Sequence, residues 1–181
     1  ECSDLSADAL LSAELYDADR QKLGNAEAHI LAGRATVRFS VARPIVWNAE
    51  HPYLYTVLLM AFGEVIPVNV GLAPAGFRAD GALRLNAADW DEPAASLAEI
   101  EQKLMLLKRQ NVNCIRLARP DAPRFYRLCD YYGFYVMQEI NERDRNHPCV
   151  LFWSAGNESG EGPNITEVVK EGKKYDPTRY F

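Results

Sequence analysis

The sequence has few cysteines, no long apolar run and no excess of positive charge. Its four cysteines, Cys2, Cys114, Cys129 and Cys149, show no CxxC spacing. That argues against a structural zinc site. Cys114 and Cys149 fall in strand-like apolar runs and Cys129 in a helix-like one, which predicts buried free thiols and a reducing compartment. No apolar run approaches the roughly 20 residues of a membrane-spanning helix. The first residues, "ECSDLSADALL", lack the basic start of a secretory signal. Net charge is −5, against the basic patch that a general nucleic-acid binder carries. The glycines of "GNESGEG" lack GxGxxG order, and its acids would repel phosphate, so a nucleotide-binding loop is a poor reading.

What remains is an ordinary globular balance of 48% hydrophobic and 25% charged residues over 181 positions. The pattern changes near residue 75. Before it, "LLSAELYDAD" alternates Leu11, Ala13 and Leu15 against Ser12, Glu14 and Tyr16, then turns at Asp17–Asp19. "TVRFSVA" alternates Val37, Phe39 and Val41 against Arg38 and Ser40. "YLYTVLLMAF" and "VIPVNVG" are rich in β-branched and aromatic residues. Short strands separated by turn signals predict an antiparallel sandwich over residues 1–75.

Over residues 76–181 the period becomes helical and alternates with short strands. "SLAEIEQKLMLLKRQNV" sets Leu97, Ile100, Leu104, Leu107 and Val112 near helical spacing, with Ser96 and Glu99 placed as a capping box. "NCIRLA" reads as a strand, "APRFYRLCDYYG" as a helix stopped at Gly133, and "FYVMQEI" and "VLFWSAGNE" as strands. "ITEVVKEGKKYDPTR" opens a further helix. Such alternation predicts a parallel sheet with crossover helices.

In α/β units chemistry gathers at the carboxyl ends of strands. Three predicted strands end in polar residues, at Arg116, at Glu139, and at Asn157 with Glu158. A strand end is often polar only because it meets water. Three on consecutive strands would be brought together. A carboxyl beside an apolar strand end can have a raised pKa, which a proton donor needs.

These residues carry a resemblance. "RDRNHPCVLFWSAGNESGEG" (143–162) resembles the acid/base segment of glycoside hydrolase family 2, the β-galactosidase family. "PRFYRLCDYYGFYVMQEIN" (123–141) is similar to the segment around that family's third barrel strand. "VWNAEHPYLYTVLL" (46–59), "VNVGLAPAGFR" (68–78) and "YDPTR" (175–179) resemble the end of its immunoglobulin-like domain, the junction into the barrel, and the stretch before the next strand. The resemblance covers most of residues 40–181 in the family's order. It implies an immunoglobulin-like β-sandwich followed by part of a TIM (β/α)8 barrel. It also implies retaining hydrolysis of β-glycosides by two carboxyl groups about 5 Å apart.

Carried over by the same resemblance, Glu158 is the acid/base, Asn157 meets the sugar 2-hydroxyl, and Arg116 orients the nucleophile. Glu158 is also an expected ligand of a magnesium ion. A β-galactoside is the expected substrate and a homo-oligomer the expected state. β-Glucuronidase or β-mannosidase activity is the family alternative. A non-catalytic carbohydrate-binding or structural fragment is the alternative outside enzymes. Trp153 is expected in the core rather than a pocket, and His147 in a structural role.

The departures from the family pattern are as informative. A full barrel needs about 250 residues, and residues 78–181 suffice for about four units. No stretch matches the nucleophile's motif. Glu139 and Glu142 are the nearby acids, and neither sits in it. "GALRLNAADWDEP" lacks the family's His-rich loop. Arg119 stands where the family usually has a histidine. Gln138 stands where it usually has an aspartate. "MQEINERDRNHP" omits a loop and helix that normally bring a Glu and a His near the magnesium. The chain alone is therefore expected not to hydrolyse glycosides, and the parent protein is expected to be longer.

Overall fold

The structure, a computed structural model, describes residues 9–72, 85–90, 96–156, 160 and 162–181. The chain divides into two compact units. One holds residues up to Ile45 together with Tyr53–Leu72. The other holds Val46–Pro52 and the chain from Ala73 to Phe181.

The first unit contains an antiparallel sheet of β1 (Leu10–Tyr16), β2 (Lys22–His29), β3 (Tyr55–Ala61) and β4 (Glu64–Val70), in the order β2-β1-β3-β4. Three of these strands follow the sequence pattern. β2, "KLGNAEAH", does not, because Gly, Asn, Ala and Glu are weak strand formers. Its ladder with β1, from Leu10 opposite His29 to Tyr16 opposite Lys22, makes it a strand. Ala13 and Leu15 bury one face of β1. The β3–β4 hairpin turns on Phe62 and Gly63, both at positive φ, the geometry that matches strand twist. Pro67 is tolerated because β4 is an edge of this sheet.

"TVRFSVA" departs from expectation. Val37, Phe39 and Val41 are less exposed than Arg38 and Ser40, as the alternation predicts, yet residues 35–41 form no strand. Burial periodicity needs only a surface to lie against, and the Phe39 ring approaches Gly24 of β2. A strand also needs a backbone partner, and among the described residues no ladder reaches this segment.

The second unit contains a parallel sheet in sequence order: β5 (Ala87–Trp90), β6 (Cys114–Leu117), β7 (Tyr135–Glu139) and β8 (Val150–Ser154). β5 was not legible in the sequence. Helix α1 (Leu97–Arg109) joins β5 to β6, α2 (Pro123–Tyr132) joins β6 to β7, and α3 (Pro163–Tyr175) follows β8. The expected capping box forms. Ser96 Oγ accepts from the Glu99 amide at 3.3 Å, and Glu99 Oε2 accepts from the Ser96 amide at 2.8 Å. Gly133 ends α2 in the left-handed region, at φ 76°.

Between β7 and β8 there is no crossover α-helix. A single 3-10 turn, Glu142–Asp144, lies in that connection. Parallel neighbours usually need a dozen or more linking residues. Here a polar network substitutes for the helix. Asp144 is fully buried and is gripped by Arg143 through Nε at 2.6 Å and Nη2 at 2.9 Å. Gln138 Nε2 donates to Asp144 Oδ2 at 3.3 Å, and the Tyr126 hydroxyl donates to Gln138. Asp130 fixes the far end of the connection. Its carboxylate lies 2.6 Å from His147 Nδ1 and accepts the Cys149 amide at 3.0 Å. His147 thus has the structural role expected of it.

The sheet buries its helix side. Ile115, Leu117, Val136, Leu151 and Trp153 pack with Ile100, Leu104, Phe125, Tyr126 and Cys129 in the core. Trp47 of the segment Val46–Pro52 is fully buried in this same unit. It donates to the Asp130 carbonyl at 2.9 Å and meets Tyr135 edge-on at 5.8 Å.

Candidate active site

A strand alternates its side chains between faces, so register fixes which groups share one. Asp89 pairs with Arg116, and Arg116 with Met137. Glu139 is two residues beyond Met137 and pairs with Ser154. Asp89, Arg116, Glu139 and Ser154 therefore stand on one face, near the carboxyl ends of four adjacent parallel strands. Trp90, Leu117, Gln138 and Trp153 point the other way, to the helix side.

Arg116 is the penultimate residue of β6, which runs one residue beyond the strand end read in the sequence, and it is exposed. Its Nε donates to Asp89 Oδ1 at 2.7 Å, and both side chains are more than half exposed. Sequence reasoning missed Asp89. The signal was a polar residue inside the four-residue stretch "AADW", readable only once that stretch is known to be a strand in register with "CIRL".

β8 ends at Ser154, whose hydroxyl ties the next residues. It donates to the Gly156 carbonyl at 2.8 Å and accepts the Gly156 amide at 3.4 Å. The Ile140 amide donates to the Ser154 carbonyl at 3.3 Å, joining the end of β7 to that of β8. Asn157 and Glu158 follow directly in the chain and lie outside the described residues.

The other candidates separate cleanly. Gln138 and Trp153 are buried on the helix side and do not reach the strand-end face. Trp153 donates to Asp176 Oδ2 at 2.9 Å, consistent with a core role. Burial would raise the Asp176 pKa, but hydrogen bonds from Thr178, Trp153 and Arg179 outweigh it and hold the carboxyl down at about 2. Arg119 is exposed in the segment after β6, and Glu142 is exposed on the 3-10 turn. Among the described residues no group of three or more His, Cys, Asp or Glu comes together to hold a metal ion. The expected magnesium ligand, Glu158, lies outside the described residues.

"YDPTR" also has a physical explanation. Asp176 caps the end of α3. Arg179 Nη1 donates to it at 2.6 Å, and Arg179 Nε donates to the Val150 carbonyl at 2.6 Å. Tyr180 then bridges Phe152 in parallel, and their rings stack at 5.3 Å.

The family model described as "Glycosyl hydrolases family 2, TIM barrel domain" matches residues 80–143 and 138–181, and "Glycosyl hydrolases family 2" matches residues 3–71. The two barrel matches overlap at 138–143, from the end of β7 into the shortened connection. A β-galactosidase of Pectobacterium atrosepticum is 32% identical over 197 residues, covering 81% of this chain and 19% of that protein. One from Halalkalibacterium halodurans is 28% identical over 229 residues, covering 95% of this chain and 23% of that protein. The latter alignment is longer than this 181-residue chain, so the relative carries stretches that the chain lacks. The chain spans about a fifth of the length of these relatives. Among solved structures, a β-glycosidase from Bacteroides vulgatus matches with a TM-score of 0.75 at 21% identity, over 97% of this chain and 29% of its own. A β-glucuronidase from Parabacteroides merdae matches with a TM-score of 0.73 at 18% identity over 96% of this chain and 29% of its own. These two likenesses concern the fold.

Proposed function

The chain belongs to glycoside hydrolase family 2, an immunoglobulin-like part followed by part of a TIM barrel, and on that footing we propose that it is the acid/base-bearing part of a retaining β-glycoside hydrolase, foremost a β-galactosidase. In this reading Glu158 protonates the leaving oxygen and later activates water, Asn157 meets the sugar 2-hydroxyl, and Arg116 orients the nucleophile. The nucleophile belongs to a longer polypeptide, because its motif is absent here and the double displacement has no covalent step without it. The observation that carries the reading is the exposed Arg116 at the carboxyl end of the second parallel strand, on one face with Glu139 and Ser154. Strand β8 of the same sheet ends at Ser154, three residues before Asn157 in the sequence.

The curated relatives are named β-galactosidases, which supports galactosides over other sugars. Division near residue 75 and assembly into homo-oligomers stand with the same proposal. Exposed Ile66 and Val68, two apart on β4 and so on one face, support an association surface.

Intact mass and hydrolysis of nitrophenyl β-galactoside test the reading together. The 181-residue chain is expected to give no turnover. A longer polypeptide containing it is expected to turn over, and Glu158→Gln to lower the rate by roughly 10²–10⁴-fold, the usual worth of general acid–base catalysis. Turnover indifferent to Glu158→Gln would sink the acid/base assignment. Turnover by the 181-residue chain itself would show that no outside nucleophile is needed. The second reading, a carbohydrate-binding fragment, is favoured by the Asp89–Arg116 pair, which gives Arg116 a carboxylate partner within this chain.

A further inference from the structure

We propose that Asp89 is a positioning residue that sets the plane of the Arg116 guanidinium at the carboxyl end of the parallel sheet. The inference rests on the reading of Arg116 as a site residue. Asp89 and Arg116 are register partners on neighbouring parallel strands, so their Cβ atoms leave the sheet on the same face. Asp89 Oδ1 accepts from Arg116 Nε, at 2.7 Å. Nε is the one donor on the guanidinium that turns with the side-chain stem. A carboxylate held there fixes the last torsion and therefore the direction of the planar fork.

The strand supporting Asp89 is itself anchored. The next residue, Trp90, is buried on the opposite face. It donates to Asp121 Oδ2 at 3.1 Å, and Lys103 lies 4.4 Å from its ring centre. Asp121 is tied in turn, its amide donating to the Tyr126 hydroxyl at 2.9 Å. Asp89 is thus presented by a fixed backbone. More than half of each side chain in the pair faces solvent, where an ion pair contributes little to stability. Orientation of Arg116 is the effect left for Asp89 to exert.

The arginine Nε–H signals of the full 181-residue chain, read by ¹⁵N-resolved NMR, test this. Arg116→Lys identifies the Arg116 signal by its loss. We expect that signal to be sharp and protected from solvent exchange in the parent chain, lost in Asp89→Asn and restored in Asp89→Glu. Titration with methyl β-galactoside is expected to shift it in the parent chain and in Asp89→Glu but not in Asp89→Asn. An Arg116 Nε–H that exchanges freely in the parent chain, or that Asp89→Asn leaves unchanged, overturns the inference. So does a galactoside that shifts the Gly156 amide while leaving Arg116 Nε–H unmoved; that outcome leaves the proposed function standing. A galactoside that shifts neither signal also overturns the inference, and the proposed function is then judged by turnover of the longer polypeptide.

Discussion

Trp153 donates its indole N–H to the carboxylate of Asp176 at 2.9 Å, joining the buried side of β8 to the end of α3. Arg179 completes the latch through Asp176 and the Val150 carbonyl. Asp176 resists protonation: burial pushes its pKa up, but the bonds from Thr178, Trp153 and Arg179 bring it to about 2, below the 3.8 of a free side chain. A depressed carboxyl pKa contributes stability that is complete above about pH 4. That contribution is lost as pH falls toward 2. Nearly two units correspond to roughly 2 kcal/mol. Acid titration of unfolding free energy should lose that increment between about pH 4 and 2, and Asp176→Asn should flatten the curve there.

Gly133 cannot be replaced without cost, for two independent reasons. Its φ of 76° lies in the left-handed region, and a Cβ built on it would stand 2.3 Å from the Ala49 carbonyl oxygen. That oxygen is backbone and also accepts from Lys108 Nζ at 3.0 Å, so it has little room to retreat. Gly133→Ala should cost more than the roughly 1–2 kcal/mol of the left-handed conformation alone. Urea unfolding would measure it, and a loss no larger than that left-handed cost would mean the carbonyl can move.

Cys114, Cys129 and Cys149 are buried and free. Burial pushes the Cys114 thiol up to about 11, and raises Cys129 and Cys149 well above the ordinary thiol value. The thiolate is the reactive form. At neutral pH a disulfide reagent should label none of these three in the folded chain and all of them in denaturant. Rapid native labelling of any of the three, located by peptide mass, would contradict the packing described.

Much of the second unit was legible because its signals are local. The Ser96–Glu99 box, the Gly133 stop and the apolar strands all depend on residues within a few positions of one another. β2 and β5 were not legible, since "KLGNAEAH" and "AADW" owe their strand state to neighbours distant in sequence. Residues 36–42 are the converse case, in which burial alternates along a segment that joins no ladder among the described residues. At the site, Arg116 could be read from its strand end and from resemblance. Asp89 could not, because the resemblance fails in that stretch and register alone reveals the pair. The strand read as "VLFWSAGNE" ends at Ser154, and Asn157 and Glu158 lie outside the described residues.

The shortened β7–β8 connection makes an asymmetric prediction. Asp144 is fully buried, whereas the Arg143 side chain that grips it is 45% exposed. Removing the arginine strands a buried carboxylate, the situation that typically costs about 3–5 kcal/mol. Removing the charge from Asp144 leaves a guanidinium that can turn to water, and the amide of Asp144→Asn can still accept from Gln138. Arg143→Met should therefore destabilise the chain by several kcal/mol, and Asp144→Asn by roughly 1–2 kcal/mol, the worth of a weakened buried hydrogen bond. Equal losses in urea unfolding would mean that Asp144 is not held as described.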